Sequence, residues 1–378
     1  MKKTIVMNVC AKHPPFDGRV YEKISKTLVK CGYEVHNSSP NIESQFTKDG
    51  IYLHGFPQGK GMARRIKSLL LLRKLVEEVH PDCMICHEPD ALFTAYKYYK
   101  AEKKNRSLKL YFDCHEAYEH WFDNATGMKC INRAVGKLLM TMINGVVKRI
   151  DGVTSVNNTM TERFKKYNSN SYFLPSVYKI DGTDDYHSNQ SASLVYMGQF
   201  GKSKQAEIFT GAAKILKDKG IQFKITVIGG NKTGDNNPNS FERIVEREHL
   251  EEYFECRGWM PREEAFNELR KYGIGIMRFD SYTMPGNYAM PNKLFEYMSF
   301  GLAILSCSLN LEIKNIIEQE KCGILMENET AEELAKAIEY IINHHKEIET
   351  MKRNAYLATV KTYNWQNYEG LFKQIIDG

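Results

Sequence analysis

The residues best placed to do chemistry lie in one run, Met290-Pro291-Asn292-Lys293-Leu294-Phe295-Glu296-Tyr297-Met298-Ser299-Phe300-Gly301. Pro291 suits the first position of a helix and Gly301 the residue just past its end. The preceding loop, 282–289, delivers backbone N–H groups and a positive helix dipole to one spot, an anion site, and Lys293 adds a cation in the first turn. Glu296 is out of character beside Leu294, Phe295 and Met298. A carboxylate there can accept two hydrogen bonds, which fits the vicinal hydroxyls of a ribose. The plain alternative is a Glu–Lys pair on an ordinary amphipathic helix.

A second pattern, Cys83-Met84-Ile85-Cys86-His87, has the spacing of a haem-attachment motif. It sits between Pro81-Asp82 and Glu88-Pro89-Asp90, where a buried strand is expected, and the nine cysteines are unevenly spaced, as reduced thiols serving as small hydrophobes would be. Other signals are missing from the chain. Neither half has Gly-x-Gly-x-x-Gly after its first strand, and there is no Gly-x4-Gly-Lys-Ser/Thr loop, no Asp-x-Asp, no His-Glu-x-x-His and no zinc spacing. No metal ligands and no resident cofactor are expected.

The elements that must position these residues alternate. Strands are expected at Thr4–Val9, Cys83–Cys86, Leu108–Phe112 and Val153–Val156, with a first helix from Gly18 to Cys31 that buries Val20, Ile24 and Leu28. The second half repeats the rhythm, with strand Leu194–Met197, helix Lys204–Lys219, strand Phe223–Ile228, helix 241–249, strand 273–277, helix 292–300 and strand Ala303–Ser306. Such alternation predicts an α/β chain of two doubly wound parallel sheets with helices on both faces. A polar stretch from Ile180 separates them, so the domains are expected at 1–180 and 190–360, with a closing helix at 364–378 returning to the first.

With 378 residues, 42% of them hydrophobic and 26% charged, the chain is neither disordered nor a small disulfide scaffold. No apolar run reaches the roughly 18–20 residues that span a bilayer. The start, Met1-Lys2-Lys3, imitates a signal peptide only faintly before Lys12-His13-Pro14-Pro15, so a cytoplasmic location is expected. Charge is split between the halves: residues 1–180 hold 29 Lys and Arg against 17 Asp and Glu, and residues 181–378 hold 23 against 29. A basic first half attracts anionic partners.

Four motifs in order resemble one family. Asp17-Gly18-Arg19-Val20 with Gly32-Tyr33-Glu34-Val35, Asp113-Cys114-His115-Glu116, Pro291 to Gly301, and the closing Tyr363-Asn364-Trp365-Gln366 are similar to the retaining family 4 glycosyltransferases of the GT-B fold. That resemblance implies two Rossmann-like domains facing across a cleft and a metal-independent transfer of sugar from a nucleoside diphosphate to an acceptor hydroxyl. It implies roles too. Glu296 would hold the nucleotide ribose, Lys204 the donor diphosphate, and His115 would lie near the transferred sugar as the catalytic pair of Lys204. Gly18, Gly198, Pro291, Asn292 and Lys293 complete the donor side, and Asp17, Arg19 and Glu116 fall on the acceptor side. Two positions depart from the pattern: Tyr288 stands where the family has its first Glu, and Gln199 where it has an Arg. Lys202 or Lys293 would then compensate for the missing cation.

The acceptor is expected to be a glycan or a lipid-linked sugar. Helix 61–80 sets Met62, Ile66, Leu69, Leu75, Val76 and Val79 against Lys60, Arg64, Arg65, Lys67, Arg73 and Lys74, so both a peripheral seat on an anionic membrane through residues 60–80 and ordinary core packing stay open. For helix 131–149, with Val135, Leu138, Met142, Ile143 and Val146 on one face, core packing is expected. Two other functions are alternatives: a sugar-nucleotide 2-epimerase on the same fold, and a non-enzymatic nucleic-acid-binding module. The second lacks exposed aromatics interleaved with its basic residues, and no nucleic-acid partner is expected.

Overall fold

The computed structural model describes residues 3–40, 42, 45–57, 61–118, 129–180, 193–198, 200, 205–229, 240–279 and 290–378. They form two compact units, Met1–Ser176 with Trp365–Gly378, and Val177–Asn364.

The first unit is an eight-stranded sheet in the order β3-β4-β2-β1-β5-β6-β7-β8. In chain order the strands are β1 (Ile5–Val9), β2 (Glu34–Pro40), β3 (Phe46–Lys48), β4 (Ile51–Phe56), β5 (Cys83–Cys86), β6 (Lys109–Cys114), β7 (Gly152–Ser155) and β8 (Ser171–Phe173). All pairings are parallel except β3 with β4. The haem-like run is the strand β5, its four residues buried and both cysteines free, because a central parallel strand has helices over both faces.

The first helix differs from its expected form. It opens as a π-helical turn, Val20–Ser25, and continues as an α-helix over Lys26–Lys30. Ile24 N donates to Arg19 O, and Glu22 N to Asp17 O, closing five-residue steps. Val20, Ile24 and Leu28 are buried as their spacing predicts. The wider turn also brings Ser25 inward, where its Oγ donates to Val20 O at 2.7 Å. Such bulges concentrate at functional sites.

Two surface helices correct the expected faces. In Met62–Val79 the buried line is Ser68, Leu72 and Val76, while Ile66 and Leu70 are exposed. In Lys129–Val147 the buried residues are Gly136, Met140, Ile143, Val146 and Val147, and Val135, Leu138 and Met142 are exposed. Apolar residues occupy two sides of that helix, so periodicity alone could not say which side packs.

The closing segment Trp365–Asp377 packs within the first unit. Trp365 is fully buried and its Nε1 donates to Thr27 Oγ1 at 2.8 Å, and Tyr111 donates its hydroxyl to Ile375 O at 2.6 Å.

The second unit is a six-stranded, all-parallel sheet in the order β11-β10-β9-β12-β13-β14. Its strands are β9 (Leu194–Met197), β10 (Ile225–Ile228), β11 (Phe254–Cys256), β12 (Ile274–Ile276), β13 (Ala303–Cys307) and β14 (Gly323–Met326). The helix Asn292–Ser299 precedes β13 and ends where expected: Gly301 N donates to Met298 O and Leu302 N to Tyr297 O, both at 3.0 Å. Pro291 stands at its cap, one position earlier than the sequence suggested. Tyr297 locates this helix. Its ring lies where a Cβ on Gly275 of β12 would sit, and its hydroxyl accepts from Met197 N, at the end of β9, at 2.8 Å.

Replacing Trp365 by Ala empties a fully buried indole site and should cost about 3–5 kcal/mol. Urea unfolding followed by a probe in the first unit checks this, and an unshifted midpoint would show that the closing helix does not brace that unit.

Candidate functional site

In the first unit the polar side chains gather at the carboxyl ends of β1, β5 and β6, three neighbouring strands beside the point where chain direction reverses across the sheet, the usual ligand crevice of doubly wound folds. Asp113, at the end of β6, has no exposure to water. Arg19 Nε donates to its Oδ2 at 2.8 Å and Arg19 Nη2 to its Oδ1 at 2.6 Å. Thr154, opposite it on β7, donates to Oδ1 at 2.7 Å, and His87 Nδ1 lies 3.0 Å from Oδ2. His87 Nε2 is 3.0 Å from Asn8 Oδ1, and Asn8 in turn bonds Asn37 on β2. A continuous polar chain therefore crosses five strands inside the sheet. Burial alone would raise the Asp113 carboxyl, but the Arg19 charge and its hydrogen bonds outweigh this and hold it well below the ordinary carboxylate range. Burial pulls His87 down, against its bond to Asp113.

The loop after β1 is clamped by Glu88. Its buried carboxylate accepts from Ala11 N at 3.0 Å, Lys12 N at 2.8 Å and His13 N at 3.1 Å. That loop sets His13 with Nε2 3.1 Å from Nε2 of His115 and Nδ1 3.2 Å from Asp17 Oδ2. Burial lowers the His13 pKa, yet the Asp17 hydrogen bond and the charges of Glu88 and Asp17 together raise it above its ordinary value. Asp17 is driven the other way: burial is outweighed by His13 and by the N–H groups of Val20 and Arg19 that its Oδ1 accepts at 2.8 Å each. The outcome is two imidazoles within hydrogen-bond distance, with a carboxylate on one side that favours the charged form of His13.

The structure brings His115 and Asp17 into this cluster and puts Gly18 in the turn between Asp17 and Arg19. Arg19, expected on the acceptor side, is buried: its Nε and Nη2 hold Asp113 and Nη2 donates to Leu174 O at 3.0 Å, while its Nη1 has no hydrogen-bond partner among the described residues. Glu116 is exposed beside the cluster. His13, His87 and Glu88 were missed. The signal that would have found them is their place: polar residues directly after apolar strands, one of them inside the segment Lys12-His13-Pro14-Pro15.

Ligand atoms of His87, Asp113 and His115 lie within 4.8 Å of one another. A cation there would compete with the Arg19 guanidinium already paired to Asp113, and His115 Nδ1 is 3.7 Å from Asp113, beyond a hydrogen bond. The donor set fits ring positioning better than metal binding.

In the second unit Gly198 follows β9 with φ +148°, and a Cβ there would strike Lys293 Nζ. The ammonium lies 5.1 Å from the centre of the Tyr196 ring, above the ends of β9 and β10, where Gly198 N donates to Ile228 O at 2.8 Å. Lys293 is therefore not the partner of Glu296. Arg262 is: its Nη2 donates to Glu296 Oε1 at 2.9 Å, and among the described residues Oε2 has no hydrogen-bond partner. Pro291 and Asn292 open the same helix. Lys204, Lys202, Gln199, Tyr288 and the loop 282–289 lie outside the described residues.

A cation over a glycine turn, at the strand ends and beside a helix start, is an arrangement whose charge and amides suit an anion. Residues 191–344 match the family model described as glycosyl transferases group 1. The chain is similar to an uncharacterised glycosyltransferase of Haemophilus influenzae, 22% identical over 333 residues and covering 86% of both chains. It is also similar to the human GDP-Man:Man(3)GlcNAc(2)-PP-Dol alpha-1,2-mannosyltransferase, 29% identical over 194 residues, 49% of this chain and 38% of that protein. In fold it is similar to Anabaena HepE in complex with UDP and glucose, with a TM-score of 0.69, 10% identity and full coverage of both chains. The fold is GT-B, and these matches support a glycosyltransferase of group 1 type.

Asp113→Ala leaves Arg19 buried without its carboxylate and should cost about 3–5 kcal/mol, read as a lowered unfolding midpoint of the first unit. The depressed Asp113 pKa also places its stabilisation above about pH 4 and removes it as pH falls further. His13 has the opposite sign: its contribution is full below about pH 6.5 and is lost as pH rises through its raised folded value. NMR titration of the ring should show that value fall in Asp17→Asn, and an unmoved His13 titration would contradict the coupling.

Proposed function

We propose that this protein moves a sugar from a nucleoside diphosphate to an acceptor hydroxyl with retention of anomeric configuration, using a glycan or lipid-linked acceptor. The observation that carries the proposal is the Lys293 ammonium seated over Gly198 at the end of β9, one helical turn from Glu296. The second unit holds the donor. Lys293 and the amides at the start of helix Asn292–Ser299 face the diphosphate, to which the family resemblance also assigns Lys204, and Glu296, with Oε1 fixed by Arg262, offers Oε2 to a ribose hydroxyl.

Departure of the diphosphate creates an oxocarbenium-like sugar and negative charge on the leaving group. Fixed cations and helix dipoles stabilise that charge as it forms and need no reorganisation to do so, so the transfer needs no metal. The acceptor attacks from the face the diphosphate leaves, and a phosphate oxygen takes its proton. On the first unit the His13–His115 pair orients the sugar and acceptor groups. The human relative's name pairs a GDP-sugar with a dolichol-linked acceptor, which favours the same two substrate classes here.

A thermal-shift panel of UDP, GDP, ADP and CDP sugars tests the donor side, since a ligand at a hundred times its dissociation constant adds about 2.7 kcal/mol. No stabilisation by any of them would end the proposal. Lys293→Ala and Glu296→Ala should each weaken the stabilising nucleotide about tenfold or more by calorimetry, Lys293 through the phosphates and Glu296 through the nucleoside. Lys204→Ala should lose far more turnover than donor affinity.

A further inference from the structure

The helix Lys129–Val147 carries a second apolar stripe that no described residue of its unit covers. Ile131, Val135, Leu138 and Met142 recur at the i, i+4, i+7, i+11 spacing of one helix face, and each is between 41% and 61% exposed. The stripe that packs inward has the same spacing, Gly136, Met140, Ile143 and Val147, shifted by five residues, which turns it about 140° around the axis. On the neighbouring helix Met62–Val79, Ile66 at 54% and Leu70 at 57% exposure continue the apolar surface. Two hollows lie along it. One of about 440 Å³ is lined by Lys12, Arg65, Val135, Leu138 and Met142, and one of about 240 Å³ by Ile66, Leu70, Arg73 and Lys97.

The rim is cationic. Lys12 and Arg65 line the larger hollow and Arg73 and Lys97 the smaller, Lys67, Arg73 and Lys74 flank Ile66 and Leu70 on helix Met62–Val79, and helix Lys129–Val147 holds no carboxylate. The one acid lining both hollows, Asp90, is taken by Arg65 Nη2 at 2.8 and 2.6 Å. A second copy set face to face would oppose cations with cations. An anionic lipid surface meets both features, since apolar side chains enter the headgroup boundary while the surrounding cations pair with lipid phosphates. No helix among the described residues is long and apolar enough to cross a bilayer, so the contact would lie along the surface.

We propose that this face, Ile131, Val135, Leu138 and Met142 with Ile66 and Leu70, docks on a membrane containing anionic lipid. The larger hollow shares Lys12 with the loop that Glu88 clamps and that carries His13, so a lipid-linked acceptor held in that membrane is presented to the His13–His115 pair. This last step rests on the proposed transfer; the docking itself does not.

Co-sedimentation of the whole protein with vesicles tests it, with no donor or acceptor present. Wild type should pellet with phosphatidylcholine–phosphatidylglycerol vesicles and far less with phosphatidylcholine alone. Leu138→Glu/Met142→Glu and Lys67→Glu/Lys74→Glu, both at exposed positions and both checked by thermal melt, should each bind at least about tenfold more weakly. Binding that ignores the phosphatidylglycerol content would overturn the proposal, as would a Leu138→Glu/Met142→Glu variant that pellets like wild type. So would sedimentation equilibrium showing a wild-type dimer that this variant abolishes while vesicle binding persists.

Discussion

A carboxylate sealed from water organises the first unit. Asp113 can stay ionised in the sheet only because Arg19 meets it with two nitrogens and Thr154 and His87 take up its remaining capacity. Each of those partners arrives on a different element, so one charge ties β5, β6, β7 and the π-helical turn together. The same requirement explains the turn. Asp17 caps it through Oδ1, which leaves Oδ2 for His13 and aims Arg19 inward. Remove the buried charge and Arg19, next to the Asp17 that holds His13, loses the partner that fixes it.

The second unit solves a related problem with fewer parts. Its helix Asn292–Ser299 must stand at the ends of β9 and β12, and Tyr297 holds it there by filling the space over Gly275 and bonding the end of β9. Lys293 then reaches the turn at Gly198, and Glu296 is left to Arg262 on the flank. One unit thus spends its buried polar groups on positioning two imidazoles, and the other spends an aromatic side chain on positioning a cation and a carboxylate. Both arrangements sit at the carboxyl ends of parallel strands, where the backbone amides and helix starts of this architecture converge.

The outer faces of the first unit show why amphipathicity must be checked against packing. Helix Lys129–Val147 is apolar on two sides, and an apolar face exposed over about three turns is unusual for a surface that meets only water. On helix Met62–Val79 the cations Lys67, Arg73 and Lys74 stand beside the exposed Ile66 and Leu70, and that adjacency separates a helix lying on a charged interface from one merely closing a core.

Alternation of short apolar runs with amphipathic stretches was enough to read the two parallel sheets, because strands buried on both faces leave little freedom in residue type: Cys83–Cys86 is a strand whatever its cysteine spacing suggests. Pro291 and Gly301 likewise marked the ends of the helix that carries Lys293 and Glu296, since caps are local chemistry. Partnerships were not local. That Glu296 pairs with Arg262 and not Lys293, that Arg19 is buried against Asp113, and that His13 meets His115 across 102 positions all depend on which strand ends lie side by side. Nor could a helix with two equivalent apolar stripes announce which one faces inward. Sequence specified the elements and the charges available to them; only folding in three dimensions chose the neighbours, because a side chain's partner is set by distance through space and periodicity reports only distance along the chain.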